Sequence, residues 1–225
     1  MSLPIYSITP FTLLDYPDTT ACIFWFAGCN MKCLYCYNPE IVYGKGKLGY
    51  EQALKFIDSR RNLLDGVVLS GGECTSHKNL SEFAKRLKVK GLKVKVDTNG
   101  SNPHVLEKMI SEKTLDYVAL DFKAVPYSFL KITQSRLYNR FEESLDLLLS
   151  RQIPFEVRTT FHSDLISRND VSEMVQFLQN KGYKGNYFIQ HFVNDTATLQ
   201  PLGVSTKTFT EDDFACSDIR IIFRN

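Results

Sequence analysis

No apolar run in the chain reaches the roughly 20 residues that span a bilayer. Met1-Ser2-Leu3-Pro4 has neither the basic stretch nor the apolar stretch of a secretory signal. The sequence is therefore expected to be cytoplasmic, with no membrane partner. Charge is nearly balanced, with 27 Lys and Arg against 25 Asp and Glu and a formal net charge of +2, which selects no acidic or basic partner. No low-complexity linker, composition break or repeat beyond a strand–helix alternation interrupts the chain. Residues 1–225 are expected to form one domain, with a core over about 20–191, an N-terminal lead-in and a C-terminal tail. Cysteine is sparse as well, with 6 in 225 residues. Cys22, Cys74 and Cys216 are widely separated and suit small buried apolar positions. A disulfide frame has no support, and a reducing compartment fits better. The one basic run, Lys85, Arg86, Lys88, Lys90, Lys93 and Lys95, has no interleaved aromatics. It reads as the solvated face of a helix and the start of a strand, not as a nucleic-acid surface.

The other cysteines are concentrated. Cys29-Asn30-Met31-Lys32-Cys33-Leu34-Tyr35-Cys36 places three thiols in eight residues. A structural zinc site takes four protein ligands, so this spacing is one short. Three readings are open: buried structural thiols, zinc completed by a distant ligand such as His77, or a [4Fe–4S] cluster. A cubane normally takes four thiolates, so three would leave one iron open to another ligand.

Strand and helix patterns alternate along the chain. Apolar runs predict strands over 20–27, 66–69, 92–96, 117–122, 154–160 and 186–191. Helical spacing predicts helices over 50–58, 80–89, 103–113, 140–150 and 171–180. Asn102 is placed to cap the third of these and Asn169 or Asp170 the last, with Gly182 as its stop. The segment before 20 reads as a polar lead-in, and 219–223 as a possible last strand. Successive β/α units imply a parallel sheet with right-handed crossovers. A closed eightfold barrel typically needs about 250 residues. An open, partial (β/α)6 barrel in the α/β class fits this length better.

Ligands in such folds gather at the carboxyl ends of the strands, and the distinctive residues fall there. After the second strand comes Ser70-Gly71-Gly72-Glu73, where glycines let the backbone approach a ligand closely. The third strand ends in Asp97-Thr98-Asn99-Gly100. The fourth carries Asp121 and, on the same face by alternation, Lys123. The fifth carries Glu156 and Arg158 on one face, which could form an ion pair within the barrel. His191 ends the sixth.

Cys-x3-Cys-x2-Cys with Tyr35 before its last cysteine, followed by Gly71-Gly72-Glu73, resembles the radical S-adenosylmethionine (SAM) enzymes. That resemblance implies a [4Fe–4S] cluster on Cys29, Cys33 and Cys36 whose open iron chelates the amino and carboxylate groups of SAM. An electron from the cluster then breaks a C–S bond and leaves a 5′-deoxyadenosyl radical. The Gly-Gly-Glu loop would meet the SAM amino group, with Cys74 where proline is usual. Asp97-Thr98-Asn99-Gly100 and Asp121-x-Lys123 resemble elements of glycyl-radical activating enzymes. By that resemblance Asp97, Thr98 and Asp121 would line a monovalent cation, Lys123 and Arg158 would reach SAM, and His191 could touch its adenine or ribose.

The lead-in Thr9-Pro10-Phe11-Thr12-Leu13-Leu14-Asp15-Tyr16-Pro17 and the post-cluster Tyr37-Asn38-Pro39-Glu40 resemble activating proteins of anaerobic ribonucleoside-triphosphate reductases. Asp18 and Tyr37 stand where glycine and histidine are common. The implied partners are that anaerobic ribonucleotide reductase and a flavodoxin- or ferredoxin-like reductant. Alternatives are a pyruvate formate-lyase activator, a small-molecule enzyme like the 7-carboxy-7-deazaguanine synthases, and a non-enzymatic zinc module.

Overall fold

A computed structural model describes residues 3–206, 214 and 219–224. One eight-stranded sheet runs in chain order, from β1 (Ile5–Thr12) and β2 (Ala21–Phe26) through β3 (Gly66–Gly71), β4 (Lys93–Thr98) and β5 (Tyr117–Asp121) to β6 (Phe155–Phe161), β7 (Asn186–His191) and β8 (Arg220–Arg224). From β2 to β8 every pairing is parallel. The sheet curls into a partial barrel, and the expected six β/α strands are β2 to β7.

The helices are α1 (Pro39–Tyr43), α2 (Tyr50–Ser59), α3 (Leu80–Val89), α4 (Pro103–Ser111), α5 (Pro126–Thr133), α6 (Tyr138–Arg151) and α7 (Arg168–Asn180). Their apolar stripes explain the packing. On α3, Leu80, Phe83, Ala84 and Leu87 are buried; on α7, Val171, Met174, Val175 and Leu178 are. That i, i+3, i+4, i+7 spacing fits one face turned to the sheet, and each large side chain so buried contributes about 2 kcal/mol. No helix among the described residues is long and apolar enough to cross a membrane.

Several local expectations are corrected. The lead-in contains strand β1, antiparallel to β2, with a register shift between Thr9 and Thr12. Pro10 sits in that irregular stretch of an edge strand, where its missing N–H costs little. Helices α1 and α5 were not foreseen. Asn102 makes no side-chain cap on α4; its amide donates to Thr75 and Ser76. The N-cap of α7 is Ser167, and Asp170 is its N3 partner in a capping box. Cys22 and Cys74 are buried as expected, while Cys216 lies outside the described residues.

Register decides what faces the barrel interior. Val68 pairs with Lys95, Lys95 with Tyr117, Asp121 with Arg158, and Thr160 with Gln190. Paired residues on neighbouring strands share a face, and the period of two carries that parity along each strand. Lys95, Asp97, Asp121, Glu156, Arg158, Thr160 and Gln190 therefore all point one way, into the barrel.

Candidate active site

The cysteine loop leaves β2 at Ala27 and is held by main-chain bonds from three sides. Gly28 donates to the Ile41 carbonyl at 2.8 Å; Lys32 and Leu34 donate to Thr133 and Ile132 at 2.8 and 3.0 Å. Leu199 and Gln200, from the segment after β7, donate to Cys36 and Leu34 at 2.9 and 3.2 Å. A loop without its own helix or strand must find such partners for its peptide groups. The unforeseen α5 supplies two of them from its C-terminal end.

Cys29, Cys33 and Cys36 line one cavity of 270 Å³ together with the glycine loop, Asp97, Asp121, Lys123 and Arg158. Burial pushes the Cys29 thiol up to about 12, helped by Glu73. The Cys33 thiol is pushed up to about 11, burial outweighing the nearby Lys123 ammonium. Soft thiolate donors suit iron–sulfur chemistry. Among the described residues no three His, Cys, Asp or Glu side chains are grouped to hold a single metal ion. His77, the fourth ligand a zinc site would need, does not line the cavity; its Nε2 lies 2.8 Å from the Ala27 carbonyl oxygen. The donor set therefore fits a three-thiolate cluster with an open position better than a zinc site.

The turn after β3 is glycine for steric reasons. Gly71 has φ +118°, and a Cβ there would lie 2.3 Å from the Phe26 nitrogen. At Gly72 a Cβ would lie 1.9 Å from the Gly28 carbonyl oxygen, so the two loops touch backbone to backbone. Glu73 is fully buried and does not line the cavity. Its carboxylate accepts from the Thr75 amide at 3.0 Å, the Thr75 hydroxyl at 2.5 Å, the Thr98 hydroxyl at 2.9 Å and the Asn99 amide at 2.8 Å. It ties the ends of β3 and β4 together. Burial raises its carboxyl above the usual range despite these donors.

Part of the cavity wall is a row of ion pairs. Lys123 Nζ donates to Asp121 Oδ2 at 2.9 Å; Arg158 Nε donates to Asp121 Oδ1 at 3.0 Å, and its NH2 lies 2.9 Å from that oxygen. Arg158 NH1 is 3.5 Å from Asp97 Oδ2, which also accepts from the Ser70 hydroxyl at 3.1 Å. Burial alone would raise the Asp121 carboxyl, but Arg158 and Lys123 together hold it below the usual carboxylate range. Arg158 pairs with Asp121 and Asp97; Glu156 has the Lys95 ammonium at 3.7 Å and accepts from the Tyr117 hydroxyl at 3.3 Å.

Lys95 corrects the reading of the basic run. Its side chain is 2% exposed, inside the barrel. Arg86, Lys88 and Lys90 are paired with Glu51, Asp116 and Asp58.

The structure thus brings together the three cysteines, Gly71, Gly72, Asp97, Thr98, Asp121, Lys123 and Arg158. Glu73 and His191 stand apart. His191 pairs with Phe161, on the face opposite Thr160 and Gln190, and stacks on Phe223 at 5.4 Å. Trp25, Thr160 and Gln190 also line the cavity with no motif to mark them in the sequence; Asp15 of the lead-in and Asn99 of the motif at 97–100 line it too. Strand alternation from Arg158 would have found Thr160.

A partial β/α barrel with three thiols and a glycine turn at its strand ends defines a radical SAM type of site. The family model of the Radical SAM superfamily matches residues 23–179. A candidate glycyl-radical enzyme activating enzyme of Methanocaldococcus jannaschii is 31% identical over 198 residues, covering 85% of this chain and 81% of that protein. The pyruvate formate-lyase-activating enzyme of Clostridium pasteurianum is 27% identical over 184 residues, covering 78% and 76%. In fold, the chain is similar to Streptococcus suis SuiB bound to S-adenosylmethionine, with a TM-score of 0.65 at 11% identity over 88% of this chain and 48% of SuiB. The protein is an enzyme of the radical SAM superfamily, of the type that includes the glycyl-radical activating enzymes. Membership implies a [4Fe–4S] cluster and SAM as its cofactors.

Proposed function

We propose that the protein installs a glycyl radical on a partner protein, and that the partner is an anaerobic ribonucleoside-triphosphate reductase. The observation that carries the activating role is the 31% identity to a candidate activating enzyme over most of both chains. Between Cys36 and β3 the chain holds only α1, α2 and short connections, so the site has no ferredoxin-like insert. The choice of reductase rests on the stretches Thr9–Pro17 and Tyr37–Glu40. A pyruvate formate-lyase is the second reading, favoured by the Clostridium relative.

Cys29, Cys33 and Cys36 would hold the cluster. Bound together, cluster and SAM supply reductive C–S cleavage and hydrogen-atom abstraction. The chain's own residues do the rest. Gly71 and Gly72 would give SAM close access to the backbone, and Lys123 and Arg158 would offer it two cations. Asp121 and Asp97 hold those cations in register, while Thr98 is tied to Glu73. No general acid or base is needed for hydrogen-atom abstraction. The curved interior keeps water from the reacting carbon, and the peptide bearing the glycine enters from the open side of the barrel.

The test combines anaerobically reconstituted protein, reductant, SAM and the same organism's anaerobic ribonucleotide reductase. A glycyl-radical doublet in the EPR spectrum together with 5′-deoxyadenosine is the expected result. 5′-Deoxyadenosine without the doublet would overturn the reductase as partner. Neither signal with a filled cluster would overturn the activating role.

A further inference from the structure

We propose that Lys95 is a positioning residue of the SAM pocket, a built-in cation that takes the place of an exchangeable monovalent metal ion beside Asp97. This rests on the reading of the cavity as the SAM pocket. The resemblance implied an oxygen-lined cation site made by Asp97, Thr98 and Asp121, and the structure does not fit one. Both Asp121 oxygens accept from Lys123 and Arg158. The Thr98 hydroxyl donates to Glu73. Asp97 Oδ2 faces Ser70 and Arg158. The remaining oxygen, Asp97 Oδ1, is buried without a hydrogen bond and has the Lys95 ammonium 3.1 Å away.

The ammonium is fixed from below. Lys95 Nζ donates to the Asp15 main-chain carbonyl at 2.5 Å and lies 3.7 Å from Glu156 Oε1. Asp15 belongs to the turn after β1 and lines the cavity from the side where β2 begins, because Thr12 pairs with Ala21 at the start of β2. Lys95 therefore bridges that turn to Asp97. Charge closes without an added ion. Asp97, Asp121 and Glu156 face Lys95, Lys123 and Arg158, while the Asp15 carboxylate turns to the Thr12 hydroxyl. A further monovalent cation would enter a balanced set with no free carboxylate to receive it. A buried ammonium held between carboxylates and a carbonyl fixes the orientation of its partners.

The test is SAM binding to the cluster-loaded protein in potassium, sodium and tetramethylammonium salts of equal ionic strength. Wild-type affinity is expected to be the same in all three within about twofold, since no metal ion is part of the site. Lys95→Met is expected to bind SAM roughly tenfold more weakly in tetramethylammonium, because it strips Asp97 Oδ1 of its cation. Potassium should restore part of that loss. Wild-type binding that requires potassium or sodium would overturn the proposal and leave the SAM pocket standing. So would Lys95→Met protein that loads its cluster and binds SAM like wild type in every salt. Should the variant fail to load, the wild-type salt series decides alone. Absence of SAM binding in every salt would overturn the pocket reading and this proposal with it.

Discussion

The Leu199 amide donates to the Cys36 carbonyl at 2.9 Å, and so joins the segment after β7 to the loop carrying the thiols. Tyr37 strengthens that union: its ring stacks on Phe192 at 5.4 Å, and its hydroxyl accepts from the Val193 amide at 2.8 Å. Phe192 anchors the segment in the core, and the residues beyond it lie against the cluster loop. Leu199→Pro removes the donated N–H and leaves the core intact. It is expected to fold and load iron, but to lose its cluster faster in air. Decay of the iron–sulfur absorbance after anaerobic reconstitution is the measurement. A decay rate equal to wild type would show that the segment does not shield the loop.

Gly72 makes a second, sharper contact with the same loop. A methyl group there would sit 1.9 Å from the Gly28 carbonyl oxygen, one residue before Cys29. Backbone on both sides leaves nothing flexible to yield. Gly72→Ala should therefore move the cysteine loop and reduce iron and sulfide per protein after reconstitution, beyond any effect on SAM. Ala at Gly91, where φ is +86° but no atom lies within 4 Å, is the control. It should cost about 1 kcal/mol of stability from backbone strain and leave cluster content unchanged.

The contrast between these glycines bears on what could be read from the sequence. The cysteine loop, the Gly-Gly turn and the carboxylate–cation strands were legible because each is a compact motif at a strand end. Strand β1 was not, because Pro10 and its neighbouring threonines break the apolar pattern that a bulged edge strand does not need. Lys95 was grouped with solvated lysines since hydropathy cannot show that its partners, Asp97, Glu156 and the Asp15 carbonyl, meet it inside the barrel. His191 and Gln190 are adjacent in sequence, and only the β6–β7 register tells which of them faces the cavity.

Asp121 holds two cations, so its loss should be felt as stability. Asp121→Asn leaves Lys123 and Arg158 with a neutral partner inside the cavity. Removing one member of a fully buried ion pair costs about 3–5 kcal/mol; with the Asp121 side chain 23% exposed, about 2 kcal/mol is expected. Chemical denaturation of the cluster-free protein measures it. Asp121→Asn combined with Lys123→Met should recover part of the loss, because the uncompensated ammonium is removed as well. A double variant less stable than the sum of its parts would contradict the pairing.

Asp170 offers a pH-dependent test remote from the cavity. Its carboxylate accepts from the Ser167 amide and hydroxyl, both at 2.6 Å, and from the Tyr127 hydroxyl, which joins α7 to α5. Burial would raise this carboxyl, but the Ser167 hydroxyl, Tyr127 and the Ser167 amide together hold it below the usual range. A carboxyl whose native pKa lies below its unfolded value adds stability above the unfolded value, and that stability is lost as pH falls through the native one. Asp170→Asn should therefore be less stable than wild type by about 1 kcal/mol near neutral pH. The gap should narrow once pH drops below about 4, the ordinary aspartate range, as wild type also becomes protonated. Urea midpoints for both proteins across that range give the curve. A gap that persists unchanged into strong acid would mean that the charge on Asp170 does not contribute to the cap.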